Sequence, residues 1–238
     1  MKLKIRRLFS ILLLASFLSG CATTGIAINP SFWQEKDKKI GVAFVKFREA
    51  LRYRSEEPTI GHLVVGMFVK NKLKTTAEEL DEFMKRLDIS KFDAASDRFV
   101  ELLQARGFNA RKIEGFININ RFPVFKVGCA GKFAYKDLTS LASEENIDIL
   151  ILFEAINYGL IGEIFTYMPS GLPRGYFMVK GEMINLNNNE LLWQTTKTKE
   201  EPPVKEWYQP PDFPELVVAI QKAADKATSE LEADFFPK

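Results

Sequence analysis

Histidine and cysteine are nearly missing from this 238-residue chain, which has one His, at 62, and two Cys, at 21 and 129. Any His-based metal site or His-dependent triad must therefore use His62. It lies between Gly61 and the apolar run Leu63-Val64-Val65, the setting of a strand-edge histidine rather than a base. The cysteines are far apart in sequence, which removes C-x-x-C zinc and redox chemistry. No G-x-S-x-G elbow occurs, and Met168-Pro169-Ser170-Gly171 does not make one. Gly159-Leu160-Ile161-Gly162 lacks the lysine and helix context of a phosphate loop. Internal repeats and low-complexity tracts are absent. The apolar run Leu8 to Leu18 is too short to span a bilayer. These absences leave no catalytic residue, metal ligand or cofactor site to name, and the chain reads as a non-enzyme. The acids Glu78, Glu79, Asp81 and Glu82 fit the solvated first turns of a helix.

What is present begins at the N-terminus. Lys2, Lys4, Arg6 and Arg7 precede the apolar run, and Leu18-Ser19-Gly20-Cys21 closes it. A basic head, an apolar stretch of this length and a small residue at the junction form a signal-peptide pattern. The pattern resembles the bacterial lipoprotein signal, in which cleavage before the cysteine leaves a lipid-modified Cys21 as the new N-terminus. The resemblance implies membrane attachment through lipidated Cys21. Ala22, where an Asp resembles an inner-membrane retention signal, points to the periplasmic face of the outer membrane; the inner membrane and the cell surface are the alternatives. Loss of residues 1–20 removes four bases, so the net charge of +2 becomes −2. No basic excess then points to nucleic acid. With Cys21 acylated, Cys129 lacks an intramolecular partner. It reads as a buried small hydrophobe, or as one half of an intermolecular disulfide.

The domain plan is a signal peptide over 1–20, a tether over 21–38 and a single α/β periplasmic domain over 39–238. Ile40 to Phe47 and Asp148 to Glu154 read as strands buried on both faces. His62 to Val69 is a further strand candidate, and Arg48 to Pro58 reads as a solvated loop. Leu80, Phe83, Met84 and Leu87 share one face of a helix. A second helix runs from Asp93 to Arg106, with Phe92, Phe99, Leu102 and Leu103 inward and Gly107 as its stop. Phe108 to Phe116 reads as a strand and Asp137 to Glu145 as a short helix. Asp212 begins a last helix to about Ala233, with Leu216, Ala219, Ile220, Ala223 and Ala227 on one stripe. The fold class is thus α/β, a mixed sheet with helices packed against it, a β-hairpin near the C-terminus and then a C-terminal helix.

That hairpin reads G-E-M-I-N-L-N-N-N-E-L-L-W-Q-T-T from Gly181 to Thr196, with three successive Asn at the turn. With the element order, it resembles a group of envelope lipoproteins and related proteins. The group includes the curli secretion channel subunit, the lipoprotein activators of penicillin-binding proteins and the N-terminal domain of the Tol–Pal translocation protein. Asn185 replaces the usual Asp, and Glu190 follows a third Asn where Gly is usual. The resemblance implies a binding or assembly protein.

Two irregular apolar stretches, 116–125 and 158–175, are the expected contact surfaces, with Phe122, Phe125, Phe165 and Tyr167 as anchors. The expected function is that of a non-catalytic cell-envelope lipoprotein that binds an envelope protein or self-associates, in export or maintenance. Two rival readings remain. One is a periplasmic carrier of an apolar ligand such as lipid, with the same loops lining a cleft. The other is a hydrolase acting through two carboxylates that face each other across a cleft.

Overall fold

Two apolar runs form the centre of the sheet. In the computed structural model, β1 (Lys39–Phe44) and β4 (Ile149–Ile161) lie side by side and parallel. Ile40, Val42, Phe44, Ile151 and Phe153 are buried toward one face; Ala43, Leu150 and Leu152 are buried toward the other. This double burial is what continuous apolar strands require. The structure describes residues 25–45, 51–54, 79–80, 82–87, 94–125, 131–161, 164–165, 168–169, 173–206 and 208–236. The strand candidate at 62–69, His62, Cys21, Cys129 and Tyr167 lie outside them.

The remaining strands are β2 (Leu51–Arg54), β3 (Asn109–Lys112), β5 (Ile164–Phe165), β6 (Met168–Pro169), β7 (Arg174–Asn185) and β8 (Glu190–Glu201). The main sheet has the order β3-β1-β4-β7-β8, and β2 also pairs with β4. β3 and β1 are parallel, whereas β4, β7 and β8 form an antiparallel ribbon. The mixed sheet, the hairpin and the helix after it are as the sequence pattern predicts.

One face is covered by helices. α1 (Ala94–Ala105) places Phe99 and Leu103 inward, and α3 (Pro214–Phe235) lays its stripe of Leu216, Ala219, Ile220, Ala223 and Ala227 on β7 and β8. Helical residues around 79–86 add Leu80, Phe83 and Met84. The opposite face is covered by a layer that is mostly loop, residues 113–125 and 131–138, with the single turn α2 (Leu141–Glu144).

Several elements differ from expectation. β4 runs on to Ile161, through residues read as loop, because its edge pairs with β7 along its whole length. Residues 51–54, expected in a solvated loop, form β2 along the far half of β4. β3 ends at Lys112, and the chain then turns over the sheet through Gly115, at φ 74°. α3 is capped at Phe213 rather than Asp212; the Phe213 ring is fully buried, with its backbone left-handed at φ 42°.

Of the segment read as a tether, residues 25–38 lie against the domain. Ile26 pairs with Gln194 on the outer edge of β8, its N–H donating to the Gln194 carbonyl oxygen at 2.9 Å. Asn29 caps a short 3-10 helix, Pro30–Gln34, through Oδ1, which accepts from the Ser31 N–H. That turn drives Phe32 into the helix-side core, stacked on Phe108 at 5.0 Å.

Candidate functional site

On the face of the ribbon opposite α3, Glu154 and Lys180 stand directly across β4 and β7, and Glu182 and Gln194 directly across β7 and β8. Alternation puts all four side chains on one face. The Lys180 Nζ lies 3.1 Å from Glu154 and 3.2 Å from Glu182, and Gln194 Nε2 donates to Glu182 at 2.7 Å. Burial works against the Lys180 ammonium, but the carboxylates of Glu182 and Glu154 outweigh it and hold its pKa above the usual lysine value. A lysine held charged in this way is no general base at neutral pH. The two carboxylates are joined by that ammonium on a sheet face; they do not oppose one another across a cleft as glycoside hydrolysis requires. This cluster fixes strand register.

Among the described residues, no three His, Cys, Asp or Glu side chains converge to hold a metal ion. A groove of about 330 Å³ between α1 and α3 is lined by Arg98, Gln221, Asp225, Ser229 and Glu232 with a floor of small residues and Phe99. It contains no paired acid and base of the kind catalysis uses.

The loop layer is the second region, and one side chain organises it. Asn189 closes the β7–β8 turn with φ 63°, and it is fully buried. Its Nδ2 donates to the carbonyl oxygens of Ala134 at 3.0 Å and Lys136 at 2.9 Å, and its Oδ1 accepts from the Leu138 N–H at 3.1 Å. Beside it, Phe133 pairs with Glu190 on the outer edge of β8, and Val124 pairs with Lys136 one layer further out. The hairpin turn therefore holds residues 131–138, and they hold 124–125. Of the three Asn in the turn, only Asn189 takes a positive φ, and its side chain reaches the loop layer, whereas that of Asn188 bonds locally to Glu190.

The expected anchors are distributed as follows. Phe122 is 6% exposed and packs in the loop-side core with Ile117, Leu138 and Leu141. Phe125 is half-buried, with its ring 5.4 Å from that of Phe133. Phe165 belongs to the small ribbon β5–β6, and Tyr167 lies outside the described residues. Phe122 and Phe125 thus share one layer, and Phe165 belongs to another part of the fold. The apolar side chains this layer exposes are Phe116 (42%), Val124 (42%) and Tyr135 (72%). Tyr135 escaped the sequence reading. The signal that marks it is the absence of any acid between Glu114 and Asp137. The depression beside Phe122 is lined by Arg121, Pro123, Asp137, Thr139, Ser140 and Glu144, a polar set unsuited to an apolar ligand.

No protein-family model and no curated protein sequence matches the chain. Its fold is similar to that of several solved structures. The PelC dodecamer from Paraburkholderia phytofirmans is 11% identical with a TM-score of 0.35, covering 90% of this chain and 96% of that one. Protein XCC0632 from Xanthomonas campestris is 12% identical with a TM-score of 0.38, covering 87% of each chain. Lipoprotein GNA1162 from Neisseria meningitidis is 12% identical with a TM-score of 0.28, covering 79% of this chain and 99% of that one. At these scores the likeness carries no argument about activity, ligand or assembly.

Proposed function

We propose that this chain is a non-catalytic cell-envelope lipoprotein, held to a membrane by lipid on Cys21, that binds an envelope protein or assembles with its own copies. The observation that carries the reading is the run from Lys2 to Cys21: basic head, short apolar stretch, Leu18-Ser19-Gly20-Cys21. Ala22 supports the periplasmic face of the outer membrane as the site of the anchor, with the inner membrane and the cell surface as alternatives. The partner-binding contribution of 158–175, with Phe165 and Tyr167 as anchors, belongs to this proposal. Phe125, from 116–125, is a further candidate anchor, whereas Phe122 serves the core.

The test is the mass of the mature protein extracted from native membranes, with and without crosslinking. The expected result is a diacyl or triacyl mass on Cys21 and a crosslinked ladder or a co-purifying envelope protein. An unmodified, soluble monomer would overturn the reading.

A further inference from the structure

We propose that the face at the β8 edge bearing Val124 and Tyr135 rests on the bilayer that the Cys21 lipid enters, a bilayer containing anionic phospholipid. The inference rests on the lipid-anchor reading above and adds an orientation to it.

Three observations converge. The first is reach. Ile26 is fixed to the outer edge of β8 through Gln194, and Cys21 is five residues upstream. Five extended residues span at most about 18 Å. The acyl chains therefore hold this edge of the sheet close to the membrane surface.

The second is position. Phe133 pairs with Glu190 on the same edge of the same strand, four residues before Gln194. Four residues of strand rise about 13 Å. Residues 124–125 and 135–136 extend outward from there, with the Phe125 N–H donating to the Tyr135 carbonyl oxygen at 2.9 Å. Val124 and Tyr135 are thus beside the point at which the anchor joins the fold, whereas Phe116 lies toward the β3 side of the sheet, next to Ile117, which pairs with Val45.

The third is chemistry. Residues 115–136 contain five aromatics, four bases and no acid, in a mature chain whose net charge is negative. Three of the bases sit by rings: Arg121 lies 4.6 Å from the Phe122 ring, Lys132 5.7 Å from Phe133 and Lys136 5.7 Å from Tyr135. Glu144 and Glu190, from neighbouring elements, pair with Arg121 at 2.6 Å and Lys132 at 3.7 Å. Lys136 donates to the Phe122 carbonyl oxygen. The exposed Tyr135 ring beside Lys136, with the half-buried Phe133 ring beside Lys132, matches the boundary between acyl chains and phosphate headgroups, where Tyr is enriched and Lys and Arg meet anionic lipid. The opposite side of the domain differs in kind. There α3 exposes Val218 amid Lys222 and Asp225.

Lysine acylation read by mass spectrometry tests this on the unaltered lipidated protein. It is compared in detergent and in vesicles of phosphatidylethanolamine with phosphatidylglycerol. Lys132 and Lys136 should lose reactivity several-fold on vesicles while Lys222 does not change, and salt should weaken the protection. Independently, Tyr135→Cys in a Cys129→Ala background, labelled with an environment-sensitive fluorophore, should be quenched by brominated lipid. The same label at Val218→Cys should not. If Cys21 carries no lipid, the anchor reading falls and this inference falls with it. If Cys21 carries lipid but the two faces label and quench alike, the orientation is wrong and the anchor stands. Crosslinking from position 135 to a second copy or another protein in place of lipid quenching would also overturn it.

Discussion

Asn189 concentrates the dependence of the loop layer on single residues. It combines a left-handed backbone with three side-chain hydrogen bonds to residues 134–138. Alanine would lose the bonds, each worth about 1 kcal/mol, and would keep the backbone cost of about 1 kcal/mol. Asn189→Ala should therefore destabilise by about 3–4 kcal/mol in chemical denaturation, and Asn189→Gly by about 1 kcal/mol less. Equal stability of Asn189→Ala and the parent would show that the turn does not hold the layer. Lys180 makes a different prediction. Its ammonium is shared by Glu154 and Glu182, and its pKa is raised because those carboxylates outweigh burial. With the folded pKa above the unfolded one, its contribution is complete below the ordinary value of about 10.4 and disappears only as pH rises through the higher one. Lys180→Met should cost about 3 kcal/mol at neutral pH, because two partly buried carboxylates lose their counter-ion. The loss should shrink when denaturation is repeated at a pH above the raised lysine value, where the Lys180 side chain of the parent is also uncharged. A pH-independent loss would assign it to packing.

The β7–β8 hairpin and α3 depend on two glycines as elements rather than as flexible points. A Cβ on Gly175 would lie 2.3 Å from the Ala219 carbonyl carbon and the Ile220 nitrogen, in the backbone of α3. One on Gly181 would meet the Trp193 ring at 2.4 Å. Strand and helix approach closely at the first site; at the second, an indole fills the space a side chain would take. Gly175→Ala should cost about 2–3 kcal/mol, since rigid backbone cannot yield as a side chain can. Gly181→Ala should cost less and shift Trp193 fluorescence. A stable Gly175→Ala protein would show that α3 slides on the sheet. The contact between Gly181 and Trp193 across this hairpin is thereby a packing requirement. Much of this scale was legible: β1 and the first half of β4 from apolar runs, α3 from its stripe, the hairpin from its Asn turn. The second half of β4 was not. A register shift between Ala155 and Asn157 breaks the alternation there, and Tyr158-Gly159 reads as loop. Phe122 was misplaced for a related reason. Asn and Pro around it signal a loop, and no local pattern shows that a loop, not a helix, covers that face.

At the scale of the molecule, the N-terminal segment joins parts that sequence order keeps apart. Ile26 packs against the loop-side core and Ile28 against the helix-side core, so the chain crosses the β8 edge between them. Phe32 and Trp33 then enter a ring cluster with Phe108, Phe235 and Phe236, with centroids 5.0–6.3 Å apart for the pairs Phe32–Phe108, Phe32–Phe235, Trp33–Phe108, Trp33–Phe235 and Trp33–Phe236. Start and end of the domain are thus buried in one another. None of this was visible locally, since residues 22–29 are small and unpatterned and the partners of Phe32 lie far along the chain. A chain beginning at Lys39 would forgo that cluster, whereas one beginning at Gly25 would keep it. Phe32→Ala should cost about 3 kcal/mol. For a domain of this size that lowers the melting temperature by roughly 6–12 °C. The chain starting at Lys39 should melt lower still, and the chain starting at Gly25 should match the mature protein. If both truncations melt alike, residues 25–38 are a passive tether, and the short reach from Cys21 to the sheet edge no longer orients the domain.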